Sequence, residues 1–203
     1  MKILDKWGVL LAAVMGALIY FFGGLNYLAL MFSFLFFGVA VTKYEHEIKK
    51  EMGIYEHERG WENVLSNGLV PTLLAIASPS IGPIPFIASL AATTSDTFAS
   101  EIGVLGKGKP ISLENLKEVK PGTSGAMSAM GTVASMLGAA AIGIVAIFLF
   151  GINPAVALLV TLAGFVGSFA DTLLGILEEK GIGTKGTTNF FCSVTGGLIG
   201  LFI

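Results

Sequence analysis

The chain has 203 residues, of which 54% are hydrophobic and 13% are charged. Soluble domains carry about 25% charged residues, so this composition excludes an ordinary soluble protein and indicates an integral membrane protein. The single cysteine and two histidines exclude a disulfide framework, a cysteine-based zinc site and a histidine-rich metal site. The formal net charge of −2 gives no sign of a nucleic-acid partner.

Long uncharged runs predict seven membrane-spanning helices. Residues 7–42 contain no charged residue, and this run is long enough for two helices of about 20 residues. Glycine, proline and asparagine at 23–24, 78–83 and 151–154 mark turns between spans. The predicted spans are residues 7–22, 25–42, 64–78, 83–102, 125–150, 154–177 and 187–203. The predicted fold class is therefore all-α, a polytopic transmembrane helical bundle that forms a single domain over residues 1–203.

The basic residues predict the orientation of these spans. All 12 lysine and arginine residues lie before the first span or in three polar segments near 43–62, 103–122 and 178–186. Since positive charge favours the cytoplasmic side, these segments and the N-terminus are predicted to be cytoplasmic. The segment 43–62 is expected to extend the second helix, with most of its charges, His46 and His57 in solvent. A cleaved signal peptide over the first span is disfavoured because no clear small-residue cleavage site precedes a polar region.

Asp96 and Asp171 are the two acidic residues well inside the hydrophobic pattern. A carboxylate is costly in lipid, so it normally faces the bundle interior or a watery cavity and has a partner. Oxygen ligands without cysteine or histidine suit a hard cation such as Mg²⁺, although a structural hydrogen bond between helices is the alternative. Glu101, five residues after Asp96, lies about 140° away on an ideal helix, so these two carboxylates share a site only where the helix ends or bends.

Two glycine- and threonine-rich turns follow the acidic spans. Residues 120–125 (Lys-Pro-Gly-Thr-Ser-Gly) and 183–189 (Gly-Thr-Lys-Gly-Thr-Thr-Asn) are each expected to open a helix at the cytoplasmic face. Free backbone N–H groups, the helix dipole, hydroxyl groups and a nearby lysine would form an anion site suited to phosphate. An ordinary N-cap beside a tight glycine turn is the alternative. The order Asp-Thr and then Gly-Thr-x-Gly occurs twice, which indicates a weak parallel internal repeat.

These residue types together indicate phosphoryl transfer. Carboxylates for a divalent ion, paired phosphate sites and several lysines suit that chemistry, because it relies on positioning and charge neutralisation. Their place at one end of a membrane bundle suggests a lipid-borne phosphate and a soluble nucleotide. A secondary transporter fits the repeat and the intramembrane acids equally well, although its acids would be expected alone near the midplane. A lipid phosphotransferase that joins a nucleotide to a lipid and releases pyrophosphate is the third alternative.

Several strings in the chain resemble one known family. The strings are Ser95-Asp96-Thr97-Phe98-Ala99-Ser100-Glu101-Ile102-Gly103, Pro121-Gly122-Thr123-Ser124-Gly125, Arg59 with Asn67-Gly68, Gly167-Ser168 with Asp171, and Thr188-Asn189. They resemble the integral membrane family that includes plant phytyl-phosphate kinase, over most of the chain from about residue 40 onward. The resemblance implies phosphorylation of a prenyl monophosphate, of phytyl or geranylgeranyl type, to the diphosphate, with CTP favoured over ATP. Phe98 and Ala126 stand where tryptophan and glycine are common in the family, and neither change touches an oxygen ligand.

The resemblance also implies a role for each candidate site residue. The expected Mg²⁺ ligands, direct or through water, are Asp96, Glu101 and Asp171, and Lys120 joins them in the catalytic set. The expected cradle for the nucleotide phosphates is Gly122, Thr123, Ser124 and Gly125. The residues expected to neutralise charge or to contact phosphate oxygens are Lys120, Lys185, Arg59, Asn67, Thr188 and Asn189. Apolar grooves between helices would hold the prenyl tail, and the active site is expected at the cytoplasmic face of the membrane.

Overall fold

The computed structural model describes residues 4–53 and 60–203. In these residues the chain forms a bundle of eight helices and one short antiparallel strand pair. The helices are α1 Lys6–Gly23, α2 Leu25–Lys43, α3 His46–Glu51, α4 Trp61–Ile81, α5 Ile84–Gly103, α6 Ala129–Phe150, α7 Pro154–Glu179 and α8 Lys185–Gly200. The strands are β1 Ile111–Ser112 and β2 Ala126–Met127. Every helix except α3 corresponds to a predicted span, which confirms the all-α membrane bundle.

Five of the described helices are long and apolar enough to cross a membrane: α1, α2, α4, α6 and α7. The chain is therefore a multi-pass membrane protein. The predicted spans that become α5 and α8 fall outside this group. Helix α8 has only 16 residues, and α5 carries two acids and many hydroxyl groups. Residues 85–97 of α5 are all buried, because other helices surround them and shield their polar groups from lipid.

Turn signals in the sequence end the helices where the pattern predicts. Gly151 adopts the left-handed conformation with φ of 65° and closes α6, with its N–H donating to the carbonyl of Ile147. Asn153 then caps α7, because its side chain accepts a hydrogen bond from the N–H of Val156. This turn makes α6 and α7 antiparallel neighbours.

Small residues allow α7 and α8 to pack directly against the central helix α5. A Cβ atom at Gly167 of α7 would lie 2.5 Å from Cβ of Ala92, and one at Gly196 of α8 would lie 2.6 Å from the same atom. Hydroxyl groups add hydrogen bonds between helices. Ser89 and Ser193 Oγ atoms lie 2.7 Å apart, which links α5 to α8. Close backbone approach and interhelical hydroxyl pairs are the usual means of association for membrane helices.

The segment after α2 does not extend that helix, so this prediction is wrong. Helix α2 ends at Lys43, and Glu45 adopts a left-handed conformation with φ of 50° before the separate helix α3 begins. The turn directs Lys49 back into the protein, where its side chain is buried. The outer side of α3 remains solvated, and a hydrogen bond from Lys50 together with its charge lowers the pKa of Glu47 below its ordinary value. His57 lies outside the described residues.

The expected helix start at residue 125 is also wrong. Helix α6 begins at Ala129, and Ser128 caps it by accepting a hydrogen bond from the N–H of Gly131. The preceding chain forms the β1–β2 pair, in which Ile111 opposes Met127 and Ser112 opposes Ala126. The turn at 120–125 therefore leads into a strand. The two glycine-threonine turns of the internal repeat are not structurally equivalent.

Candidate functional site

A cavity of about 480 Å³ lies at the end of the bundle that carries the described lysines. Its walls come from helices α3 to α8 and from the segment 122–128, which includes most of the turn at 120–125. Its volume lies within the usual range for small-molecule sites. The predicted site residues that line it are Asn67, Asp96, Glu101, Gly122, Thr123, Ser124, Gly125, Asp171, Lys185 and Asn189.

Asp96 and Asp171 share one lysine. Lys185 Nζ lies 2.9 Å from Asp171 Oδ2 and 3.7 Å from Asp96 Oδ2. The two acids reach each other because α5 and α7 run parallel in contact, while Lys185 belongs to the first turn of α8. Both carboxylates are buried, and the lysine side chain is 46% exposed. Two carboxylates against one ammonium group leave an excess negative charge in a partly dry site, which favours binding of a further cation.

In the part of the chain that the structure describes, three buried oxygen atoms near this lysine lack a hydrogen-bond partner. They are Asp171 Oδ1, Glu178 Oε2 and Asn189 Oδ1, and all three residues line the cavity. Buried polar atoms are normally paired, so unpaired acceptors on residues that line a cavity indicate a missing donor or cation. Carboxylate and amide oxygens are the donor set that Mg²⁺ prefers. Asp96, Asp171 and Asn189 therefore fit a magnesium ion by their chemistry.

Glu101 is held away from these acids. Its Oε2 accepts a hydrogen bond from Lys49 Nζ at 2.8 Å, and its Oε1 accepts one from Thr42 Oγ1 at 2.8 Å. Helix α5 continues to Gly103 without the bend that a shared site requires. Within residues 4–53 and 60–203, no three acidic, histidine or cysteine side chains are grouped as metal ligands. The structure therefore does not assemble Asp96, Glu101 and Asp171 into one metal site.

The turn at 120–125 is docked on the end of α7. The N–H of Ser124 donates to Glu179 Oε1 at 2.8 Å, and the N–H of Thr123 donates to the carbonyl of Lys120 at 3.3 Å. Gly125 has φ of 73°, and a Cβ atom there would lie 2.8 Å from the backbone N of Ile176. Two of the expected phosphate donors thus have protein partners, and a phosphate group at Ser124 would compete with Glu179.

The remaining predicted residues divide into two groups. The N-terminus of α8 is formed as expected, with Thr184 as N-cap and Asn189 reaching the cavity. Thr188 is buried and its hydroxyl donates to the carbonyl of Lys185, outside the cavity lining. Lys120 is exposed and also lies outside that lining. Arg59 lies outside the described residues.

Sequence reasoning missed Lys49, Glu178 and a pair of phenylalanines that line the cavity. Glu178 was open to prediction, because it follows Asp171 by seven residues and two helical turns return to the same face. Lys49 was not, since it stands among other charged residues of a segment that reads as solvated. Its burial depends on the turn at Glu45, which no glycine or proline marks.

The fold and the cavity define a multi-pass membrane protein with an acidic, oxygen-lined site at the basic end of a helical bundle. The chain belongs to the family described as integral membrane protein DUF92, whose sequence profile matches residues 1–191. This confirms membership of the membrane family that the motifs at 95–103 and 121–125 resemble.

Three relatives illustrate the spread of this family. An uncharacterized membrane protein of Methanocaldococcus jannaschii is 40% identical and aligns with 100% of this chain and 86% of its own length. Protein PGR of Arabidopsis thaliana is 29% identical, and the alignment covers 90% of this chain and 72% of the relative. Protein VTE6, chloroplastic, of the same plant is 29% identical, and the alignment covers 92% of this chain and 60% of the relative. No solved structure gives a significant match to the chain.

Proposed function

We propose that this protein is a membrane-embedded kinase that transfers a phosphoryl group from a nucleotide, with CTP favoured, to a prenyl monophosphate. The observation that carries this proposal is the cavity itself, in which Asp96, Asp171 and Lys185 meet beside unpaired buried oxygens at the basic end of the bundle. The identity of the reaction comes from the family resemblance of residues 95–103 and 121–125. The plant relatives extend that family to nearly the full length of this chain.

The charges of the cavity suit an exchange between two phosphate compounds. A nucleoside triphosphate and a lipid phosphate repel each other, so a site that joins them needs positive charge on both. Lys185 and the predicted Mg²⁺ at Asp96 and Asp171 would supply that charge. Asp96 and Asp171 would hold the ion, which would supply positive charge against the phosphate oxygens. Asn189 lines the same cavity and offers an amide group that would orient phosphate oxygens. Asn67 also lines it, but its amide nitrogen donates to the carbonyl of Asn63 at 2.9 Å, so it would have to exchange this partner for phosphate.

The proposed reaction balances without a protein general base. An oxygen of the prenyl phosphate forms a bond to the γ-phosphorus of the nucleotide, while the bond from that phosphorus to the β–γ bridging oxygen breaks. The products are a prenyl diphosphate and a nucleoside diphosphate. Because the acceptor oxygen is already ionised at neutral pH, no proton has to be removed from it.

The test is an assay of the purified protein in lipid nanodiscs with geranylgeranyl phosphate, Mg²⁺ and either CTP or ATP. Mass spectrometry reads both the lipid product and the released nucleotide. We expect prenyl diphosphate with CDP, and a loss of at least about a hundredfold in Asp96→Asn and Asp171→Asn, as for removal of a central electrostatic contact. Glu118→Gln is the matched control, because Glu118 is an exposed acid paired with Lys109 outside the cavity.

Each other outcome selects a different activity. Release of pyrophosphate with a nucleotide–lipid adduct would replace the kinase by a lipid nucleotidyltransferase. Absence of turnover with every nucleotide, from protein that is monodisperse and cooperatively folded, would overturn the kinase and make transport the leading hypothesis. Uptake of a solute into proteoliposomes would then establish the transporter.

A further inference from the structure

Residues of both α6 and α7 line the cavity. In the half of this pair furthest from the lysines, the two helices are closely packed. A Cβ atom at Gly143 would lie 3.0 Å from the carbonyl oxygen of Ala157, and one at Gly164 would lie 2.9 Å from Cβ of Ala139. Nearer the lysines, both helices contribute residues that line the cavity, among them Thr132 of α6 and Phe169 of α7.

The residues that line this end of the cavity differ between α6 and α7. On α6, Gly131 and Ser135 are buried against α5, where the Oγ atoms of Ser135 and Ser95 lie 2.7 Å apart, and Thr132 is half-buried. On α7, in the described part of the chain, Phe165 and Phe169 are the aromatic side chains that line the cavity. Asp171 belongs to the same helix, so α7 offers the cavity both a carboxylate and an apolar surface.

Phe169 also reaches the outer surface of the bundle. It is 38% exposed and belongs to a stripe of exposed apolar side chains on α7. The stripe consists of Leu162, Val166, Phe169, Leu173 and Leu177. In a membrane protein such a stripe faces lipid chains. The same ring thus borders the polar cavity on one side and the hydrocarbon region on the other.

We propose that the cavity opens to the lipid between α6 and α7 beside Phe169, and that this lateral portal holds the prenyl chain of a prenyl monophosphate while its phosphate occupies the cavity. This inference rests on the proposed function for the nature of the ligand. Burial of an apolar prenyl chain against aromatic rings is favourable. The prenyl chain never has to leave the bilayer, and its contacts with Phe165 and Phe169 determine how well it fits.

The direct test is photocrosslinking without nucleotide. The probe is a geranylgeranyl monophosphate analogue with a diazirine near the far end of its prenyl chain, added to the protein in nanodiscs. We expect label on peptides of α6 around residues 130–137 and of α7 around residues 162–173, and we expect excess unlabelled geranylgeranyl monophosphate to remove it. Geranylgeraniol, which lacks the phosphate, should not compete, because it cannot occupy the charged part of the cavity.

Labelling at a second apolar site on the surface would contradict the portal. An apolar groove lined by Trp7, Leu10, Leu11, Val14 and Trp61 lies between α1 and α4. Competable label on that groove, or label spread evenly over every lipid-facing helix, would overturn the portal. Because this readout needs no turnover, the portal can fail while the kinase stands, and the kinase can fail while phosphate-dependent labelling of α6 and α7 persists.

Kinetics separate a role in tail binding from a structural role. Phe165→Ala and Phe169→Ala are expected to raise KM for geranylgeranyl phosphate on the order of tenfold, with kcat within about twofold, since each removes apolar contact with the tail. KM for a short dimethylallyl phosphate should change little, because that chain does not reach the rings. Phe148→Ala is the control, since Phe148 is an exposed lipid-facing phenylalanine of α6 away from the cavity. Equal loss with both substrates would contradict the portal.

Discussion

Lys185 holds two buried carboxylates that would otherwise repel each other. Its Nζ lies 2.9 Å from Asp171 Oδ2 and 3.7 Å from Asp96 Oδ2. A buried ion pair contributes little net stability, but loss of one partner leaves an uncompensated charge. The stability of this end of the bundle is therefore coupled to the same charges that the proposed reaction uses.

This coupling is measurable by a double-mutant cycle. We expect Lys185→Met to lower the free energy of unfolding by about 1–2 kcal/mol, less than for a fully buried pair because the lysine is half exposed. Asp171→Asn removes the carboxylate that the loss of Lys185 would leave unpaired. The double variant should therefore be more stable, by about 1 kcal/mol, than the sum of the two single changes predicts. Thermal unfolding of all four proteins in detergent gives the result, and strict additivity would show that the lysine and the acid do not interact.

Lys49 is a lysine with almost no contact with solvent. It is 1% exposed, and its Nζ donates to the carbonyls of Val41 and Thr42 and to Glu101 Oε2. Two of these acceptors are carbonyl oxygens in the last turn of α2, which otherwise lack helical donors. The lysine thus caps α2, fixes α3 beneath it and holds Glu101 at the cavity rim.

Loss of this ammonium group should be strongly destabilising. Lys49→Met leaves Glu101 and two carbonyl oxygens short of a donor, so we expect a cost of about 3 kcal/mol and a decrease in Tm of roughly 6–12 °C. Lys50→Met is the matched control, because Lys50 is the next residue and its ion pair with Glu47 is exposed. Its Tm should remain within about 2 °C of the parent protein. Similar decreases for the two variants would show that burial of Lys49 is not what stabilises the turn.

At the scale of the elements, α5 determines the positions of the helices that pack around it. It is the polar helix of the bundle, and its hydroxyl groups are paired within the helix or with Ser135 and Ser193 on neighbouring helices. Because its residues 85–97 are buried on all sides, α7 and α8 must approach its backbone closely. Glycine at their contact points is what permits Asp96, Asp171 and Lys185 to converge.

A single added methyl group should disturb this convergence. Gly196→Ala would place Cβ 2.6 Å from the carbonyl oxygen of Ala88 and from Cβ of Ala92, and neither atom belongs to a flexible side chain. We expect a destabilisation of about 2 kcal/mol, since overpacking moves α8 away from α5.

A second glycine supplies the comparison for this substitution. At Gly16 of α1 the nearest atom to an added Cβ is Leu28 Cδ1 at 3.7 Å. Gly16→Ala should therefore be neutral or stabilising by up to about 1 kcal/mol, through the higher helix propensity of alanine. The comparison is made by Tm in the same detergent. A neutral Gly196→Ala would mean that α8 can shift without cost.

At the scale of the whole molecule, the hydrophobic pattern was sufficient for the helices and insufficient for the loops. Uncharged runs divided by glycine and proline located every long helix, because the bilayer sets both length and composition of a span. Asp96 and Asp171 could also be recognised as site residues, because a carboxylate within an uncharged run is costly in lipid and therefore indicates a specific role. The sequence was silent on the β1–β2 pair and on the partner of Glu101. Those depend on contacts between distant segments, such as Gly125 against Ile176, that no local pattern encodes.

Charge asymmetry predicts which end of this bundle faces the cytoplasm. Every described lysine lies at the end that holds the cavity, and the opposite turns carry none. From the positive-inside rule we expect the cavity on the cytoplasmic side, where nucleotides are available. Cys192 is the only cysteine in the sequence and is buried. A Cys192→Ser background therefore allows single reporter cysteines to be placed at will.

Two exposed positions are suitable for reporter cysteines. Lys109→Cys lies at the end of the bundle that holds the cavity, and Ser80→Cys lies in the last turn of α4, at the other end of the bundle. A membrane-impermeant maleimide added to intact cells should label the Ser80 variant and leave the Lys109 variant unlabelled until the membrane is opened. The reverse pattern would place the cavity outside the cell. A cavity on that side would meet no nucleoside triphosphate, and the proposed kinase reaction would lack its donor.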